Sequence, residues 1–271
     1  MNEYIQIEFQ NVSPEQSSIL IALLSESGFD GFEETDTSLK AFVPLNQYDE
    51  IFLKEICSEQ AIKFNKTTIA ETNWNHVWES NFDPVTVEDF VAIRADFHKP
   101  ITGVKYEIVI TPKMSFGTGH HATTFMMIEQ MKRIDFKNKT VLDFGTGTGV
   151  LAILAEKLGA KKIVAIDNDD WSVENAKENV LKNNCRQIKV QKADKALTGD
   201  KFDVILANIN KNVILGNFAL LISQLDKEGC LVISGLIRDD EHDIFRKKDE
   251  YSLHLIQTSV RNNWLCLKFS C

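Results

Sequence analysis

The chain has 271 residues, 44% hydrophobic and 25% charged, which accommodates one large domain and a small one at the usual ~150 residues per domain. A formal net charge of −9 argues against direct DNA binding by bulk electrostatics and suits a basic partner. With no basic leader ahead of an apolar run, no stretch near the ~20 apolar residues of a membrane span, and five dispersed cysteines (Cys57, Cys185, Cys230, Cys266, Cys271) lacking any C-x-x-C, the expectation is a cytoplasmic, non-membrane protein with free thiols and no zinc site.

Tyr4 to Phe9 alternates polar and apolar residues and reads as a strand. Ser13-Pro14-Glu15-Gln16 starts a helix, with serine as N-cap and proline at N1; its apolar face is Ile19, Leu20, Leu23 and Leu24, and Gly28 stops it. Short strands around Phe32 and from Ala41 to Val43, a helix near Tyr48 to Cys57 and a strand from Ile62 to Ile69 complete the order β-α-β-β-α-β. That order predicts a ferredoxin-like α+β domain over residues 1–70, with binding as its default role because it carries no catalytic constellation. Residues 71–100 read as an interdomain joint rich in aromatic side chains, Trp74, His76, Trp78, Phe82, Phe90 and Phe97, punctuated by Pro84 and Pro100.

From residue 101 to 271 strands and helices alternate. Strands are expected at 105–110, 141–145, 163–167, 188–192, 203–208 and 229–235, with helices between them such as Ala122 to Arg133, Val150 to Leu158 and Trp171 to Lys182. Arg238 to Lys248 reads as a further helix, and Ser252 to Thr258 and Trp264 to Phe269 pair around the turn Arg261-Asn262-Asn263. This predicts an α/β doubly wound sheet, parallel except at the terminal hairpin.

The glycine run Asp143-Phe144-Gly145-Thr146-Gly147-Thr148-Gly149-Val150 sits between a buried strand and a helix, where residues without Cβ let the backbone turn and approach a ligand. Asp167, at the end of the next strand, is placed to accept from ribose hydroxyls. A dinucleotide site wants G-x-G-x-x-G, whose third glycine would fall at Val150; the run D-x-G-x-G-x-G instead resembles motif I of the S-adenosylmethionine-dependent methyltransferases, which implies S-adenosylmethionine, a nucleoside without phosphate, as cofactor. Asp194, just beyond the strand starting at Ile188, could accept from an adenine amino group, or could cap a helix or be a solvated charge. Asn208 closes the strand Phe202 to Ala207, where its side-chain oxygen can accept from an incoming amine; the alternative is a turn asparagine. The loop Ser115 to His121, with Gly117 and Gly119, leads into a helix as a cover for a pocket, with Thr124 reaching the cofactor; its adjacent histidines lack partners at metal-ligand spacing.

Asn73-Trp74-Asn75-His76-Val77-Trp78-Glu79, Phe116-Gly117-Thr118-Gly119-His120-His121-Ala122-Thr123-Thr124, Val141 to Leu151, Ala207-Asn208-Ile209 and Ser234-Gly235-Leu236-Ile237 together resemble, in order and spacing, the bacterial ribosomal protein L11 methyltransferases, from about residue 70 to the end. The resemblance implies methyl transfer from S-adenosylmethionine to lysine side chains and the N-terminal α-amine of ribosomal protein L11, free or on the ribosome, with S-adenosylhomocysteine as product. It implies cofactor contacts at Thr124, Gly145, Asp167 and Asn208, to which the glycine loop and the β-strand edge add Gly147 and Asp194. It also implies that residues 1–70 hold the substrate while the joint lets the domains reorient. The chain departs from the family pattern at Thr111-Pro112-Lys113-Met114, where an Asp-Pro-Gly-type turn is usual, at Thr146, where cysteine is common, and at Ala122, where proline is common. A methyltransferase of another protein or of RNA shares the same core, as does a module that binds the cofactor without turnover.

Overall fold

The computed structural model describes residues 4–25, 27–35, 37–60, 62–69, 82–113 and 115–271; Trp74, His76, Trp78 and the motif at 73–79 lie outside the described residues. The chain divides into two compact units, Met1–Asn81 and Phe82–Cys271.

In the first unit the strands β1 (Tyr4–Gln10), β2 (Gly31–Glu34), β3 (Ser38–Pro44) and β4 (Phe64–Ile69) form an antiparallel sheet in the order β2-β3-β1-β4, with helices α1 (Pro14–Ser25) and α2 (Glu50–Glu59). This is the ferredoxin-like arrangement. Alternation in β1 and β3 turns Ile5, Ile7, Phe9, Leu39, Ala41 and Val43 to one side, where Leu20 and Leu24 of α1 and Leu53 and Ile56 of α2 complete the core. Ser13 and Gln16 cap α1 reciprocally: the Gln16 amide donates to Ser13 Oγ at 3.3 Å, and the Ser13 amide to Gln16 Oε1 at 3.0 Å. The second helix begins later than its expected start at Tyr48, because Asp49 is the N-cap and accepts from the amides of Ile51 and Phe52 at 2.9 and 3.1 Å.

The second unit holds a small sheet, β5 (Val85–Val87), β6 (Val91–Ala95) and β7 (Tyr106–Ile110), and a seven-stranded one. Residues 82–100 are therefore built into this unit. Phe82 and Phe90 pack in its own core with Ile93, Ile108 and Met127, whereas Phe97 is exposed. Burial on both faces of β6 makes this possible; its single charge, Arg94, is met by Glu107 of β7 at 3.0 Å.

The large sheet comprises β8 (Thr140–Phe144), β9 (Lys162–Asp167), β10 (Ile188–Lys192), β11 (Phe202–Asn208), β12 (Leu225–Ile237), β13 (His254–Arg261) and β14 (Trp264–Ser270). Its order is β10-β9-β8-β11-β12-β14-β13, parallel as far as β12 and antiparallel across β14 and β13. On one side pack α3 (Ala122–Met131) and α4 (Val150–Lys157), and on the other α6 (Lys211–Gln224) and α7 (Glu241–Glu250). Helix α5 (Asp170–Lys182) follows β9. Strand order reverses between β8 and β11, so a crevice opens at their carboxyl ends, the place where open α/β sheets bind ligands. The terminal hairpin lies three residues later than expected at its turn side, since β13 continues to Arg261 and only Asn262 and Asn263, both at positive φ, make the turn.

Candidate active site

The β8-to-α4 loop is pinned before any ligand is considered. The amides of Gly145 and Thr146 donate to Ile166 O at 2.9 and 3.0 Å, and the Gly147 amide donates to Asp167 Oδ2 at 2.9 Å. Gly147 has φ 52°, and a Cβ there would lie 2.2 Å from Phe116 O; at Gly145, φ 75°, it would lie 2.9 Å from the Ile209 side chain. These glycines thus admit neighbouring segments of the protein, a second reason for glycine beside the expected approach of a ligand.

The segment that Gly147 admits is the second glycine-bearing loop. Thr148, fully buried, donates from its amide to Phe116 O at 2.9 Å and from Oγ1 to Gly117 O at 2.8 Å. At the end of that loop His121 is the N-cap of α3, its Nδ1 accepting from the Thr123 amide at 3.3 Å. The imidazole stands 5.3 Å from the Phe116 ring and 4.6 Å from Trp264, both edge to face. An aromatic row results, with Phe116 half exposed at its outer end.

Phe116, Gly117, Thr124, Gly145, Thr146, Thr148, Val150, Leu151 and Asn208 line one cleft. Three of the expected site residues therefore meet: Thr124 from the first turn of α3, Gly145 from the glycine loop, and Asn208 from the tip of β11. Asn208 is 7% exposed and its Nδ2 donates to Thr124 Oγ1 at 3.2 Å, while its Oδ1 is buried with no partner among the described residues. A buried acceptor without a partner, on a residue that lines the cleft, fits a ligand that brings an N–H donor. Gly147, Asp167 and Asp194 are not in the cleft lining. Asp167 stands half-buried at the end of β9 with Oδ1 accepting from the Asp169 amide at 3.1 Å, so its carboxylate braces the loop while keeping further lone pairs. Asp194 is exposed, next to Ala193, whose amide donates to Asp167 O at 2.9 Å.

Below the loop, Asp143 is completely buried. Its Oδ2 accepts from Thr146 Oγ1 at 2.6 Å and from the Ala152 amide at 3.2 Å, which joins the end of β8 to α4. Burial pushes its carboxyl up to about 7, against the pull of those two hydrogen bonds. Thr148 and Trp264 escaped the sequence reading because each depends on partners that only folding brings near, and the bracing role of Asp143 because local pattern does not show that its carboxyl is buried.

Comparison with known proteins agrees with this geometry. The family model described as ribosomal protein L11 methyltransferase (PrmA) matches residues 9–271. A Porphyromonas gingivalis protein named ribosomal protein L11 methyltransferase is 37% identical across 93% of this chain and 90% of its own length, and one from Phocaeicola vulgatus is 35% identical across 98% and 99%. The crystal structure of a ribosomal protein L11 methylase from Lactobacillus delbrueckii subsp. bulgaricus, 31% identical, superposes with a TM-score of 0.65 over 70% of this chain and 98% of that one. A Pyrococcus furiosus methyltransferase at 17% identity and TM-score 0.51, covering 60% of this chain and 88% of its own, shares the fold alone. The chain, with its glycine loop, Phe116-Gly117-Thr118-Gly119 loop and Asn208 tip in place on a doubly wound sheet, belongs to the ribosomal protein L11 methyltransferase family.

Proposed function

We propose that this chain transfers methyl groups from S-adenosylmethionine to amino groups of ribosomal protein L11, both lysine side chains and the N-terminal α-amine. The observation that carries the reading is the Asn208 carboxamide in the cleft lining, held through Nδ2 by Thr124, with its Oδ1 buried and without a partner among the described residues. An uncharged acceptor there can take an N–H from a neutral amine and orient its lone pair without favouring the ammonium form. The donor supplies a methyl group on a sulfonium. Gly145, Gly147, Thr124 and Asn208 would flank it, Asp167 would accept from its ribose hydroxyls, and Asp194 would accept from its adenine amino group.

The amine must arrive unprotonated. An α-amine near ~7.7–8.0 is partly so at neutral pH, while a lysine near ~10.4 is not, so desolvation against Val150, Leu151 and the Phe116 ring would lower the lysine's pKa. No dedicated base is required. The first unit, a ferredoxin-like sheet without a chemistry-bearing cluster among its described residues, would hold the ribosomal protein, and the net charge of −9 suits so basic a partner.

Incubation with methyl-labelled S-adenosylmethionine and separated ribosomal components tests the reading. Label on ribosomal protein L11 is expected. Label on ribosomal RNA or on another protein would move the activity to that substrate, and bound cofactor without labelled product would leave a binding module.

A further inference from the structure

We infer that Asn179, which lies outside the cleft lining, is a positioning residue for the cofactor site; this rests on the reading that the cleft takes S-adenosylmethionine. Asparagine is a mediocre helix former, yet α5 carries Asn175 and Asn179, and Asn183 is its C-cap, the three spaced four apart. They serve backbone groups at and just beyond the end of β7. Asn183 accepts from the Val109 amide at 3.0 Å and donates to Val109 O at 2.7 Å; Asn179 Oδ1 accepts from the Thr111 amide at 2.8 Å; Asn175 donates to Thr111 O at 3.1 Å. A helix thus does for this stretch of chain what a neighbouring strand would do.

Asn179, fully buried like Asn175, differs from its two neighbours in reaching the glycine loop: its Nδ2 donates to Thr148 O at 2.8 Å. Every polar group of Thr148 is then engaged: its carbonyl by Asn179, its amide and hydroxyl by Phe116 O and Gly117 O. One side chain therefore grips Thr111 directly and, through Thr148, Phe116 and Gly117, two residues of the cleft wall. Glu178 reinforces the same anchor, accepting from Thr111 Oγ1 at 2.5 Å and from Lys113 Nζ at 2.7 Å. The turn at which this chain departs from its family's pattern is the one these α5 side chains hold. Removing the Asn179 carboxamide leaves the buried Thr148 carbonyl and the half-buried Thr111 amide without this partner, and frees Thr148 to shift with the wall it supports.

The test compares Asn179→Ala with Asn183→Ala in the full chain. Both lose helix-to-β7 hydrogen bonds and should melt at lower temperature, but only the first touches the glycine loop. Asn179→Ala should weaken S-adenosylmethionine binding by about ten-fold or more in calorimetry, and speed hydrogen exchange at the Thr148 amide, with kcat at saturating cofactor within about two-fold of wild type. Asn183→Ala should leave affinity and Thr148 exchange at wild-type values. Equal affinity in the two variants, or unchanged Thr148 exchange in Asn179→Ala, overturns the inference. Should the alanine variant not fold, Asn179→Asp keeps an acceptor for Thr111 and removes the donor to Thr148; wild-type affinity in that protein overturns the inference as well. A wild-type chain that binds no S-adenosylmethionine would defeat the functional reading, while the exchange comparison would still decide whether Asn179 sets the position of Thr148.

Discussion

At the scale of single residues, Asn208 and Asp143 are two buried polar groups with opposite consequences. Asn208 lines the cleft and its buried Oδ1 has no partner among the described residues; on the proposed function an interaction made there would count mainly as the amine approaches the methyl group. Asn208→Ala should lower kcat by roughly 10- to 100-fold, the worth of a buried hydrogen bond of about 1–3 kcal/mol, with a smaller change in cofactor affinity. If affinity falls instead and turnover at saturating cofactor is kept, Asn208 holds only the cofactor. Asp143 has no part facing the cleft, and its raised carboxyl makes it a pH-dependent brace. Between its ordinary value near 3.8 and about 7 the folded chain holds a proton that the unfolded chain has lost. The stability contributed by the neutral form is therefore complete below about pH 4 and lost as pH rises through about 7. Asparagine cannot titrate, so the wild-type stability minus that of Asp143→Asn should fall over this window in urea unfolding. A pH-independent difference would show that Asp143 does not titrate there.

At the scale of elements, the cleft is made by two glycine-bearing loops that lock into each other. Phe116 O occupies the space beside Gly147, and the Thr148 amide and hydroxyl take up the two carbonyls that the entering loop presents. Neither loop has its conformation without the other. Gly147→Ala adds a methyl group 2.2 Å from Phe116 O at a φ of 52° that alanine adopts at a cost of about 1–2 kcal/mol, so the loops must separate. The variant should melt several degrees lower and bind S-adenosylmethionine at least about ten-fold more weakly, by thermal unfolding and calorimetry. Wild-type affinity in a folded Gly147→Ala protein would mean that the interlock does not shape the site. Helix α3 enters the same assembly at its first turn, where His121 as N-cap fixes the end of one loop and Thr124 holds Asn208.

At the scale of the molecule, the residues proposed for chemistry belong to the unit Phe82–Cys271, which has its own core on both faces of the large sheet. The unit Met1–Asn81 has a separate core of Ile5, Ile7, Phe9, Leu20, Leu24 and their neighbours. A chain beginning at Phe82 is expected to bind S-adenosylmethionine within about two-fold of the full protein, because every residue that lines the cleft belongs to the second unit, and to lose methylation of intact ribosomal protein L11. Full activity of that shortened chain on the intact protein would remove the substrate-holding role from the first unit.

What the sequence alone determined was whatever repeats over short distances. The β-α-β-β-α-β order of the first unit, the strands and helices of the second and the glycine spacing rest on alternation, helical periodicity and caps, all of which act within a few residues. The family resemblance rests on motifs equally local. Tertiary structure decided the rest. Phe82 and Phe90 read as joint residues because an aromatic stretch looks alike whether it packs within a unit or between units; only the pairing of β6 with β7 assigns them to the second. The glycines read as room for a ligand, and the fold adds that Gly145 and Gly147 also make room for Ile209 and Phe116. Asn179 carried no signal, since its partners Thr111 and Thr148 lie 68 and 31 residues away along the chain and are neighbours only after the sheet has formed. Local pattern specifies the elements because it acts through the backbone's own geometry, whereas the walls of the cleft are set by hydrogen bonds and packing between segments that the chain's order does not place side by side.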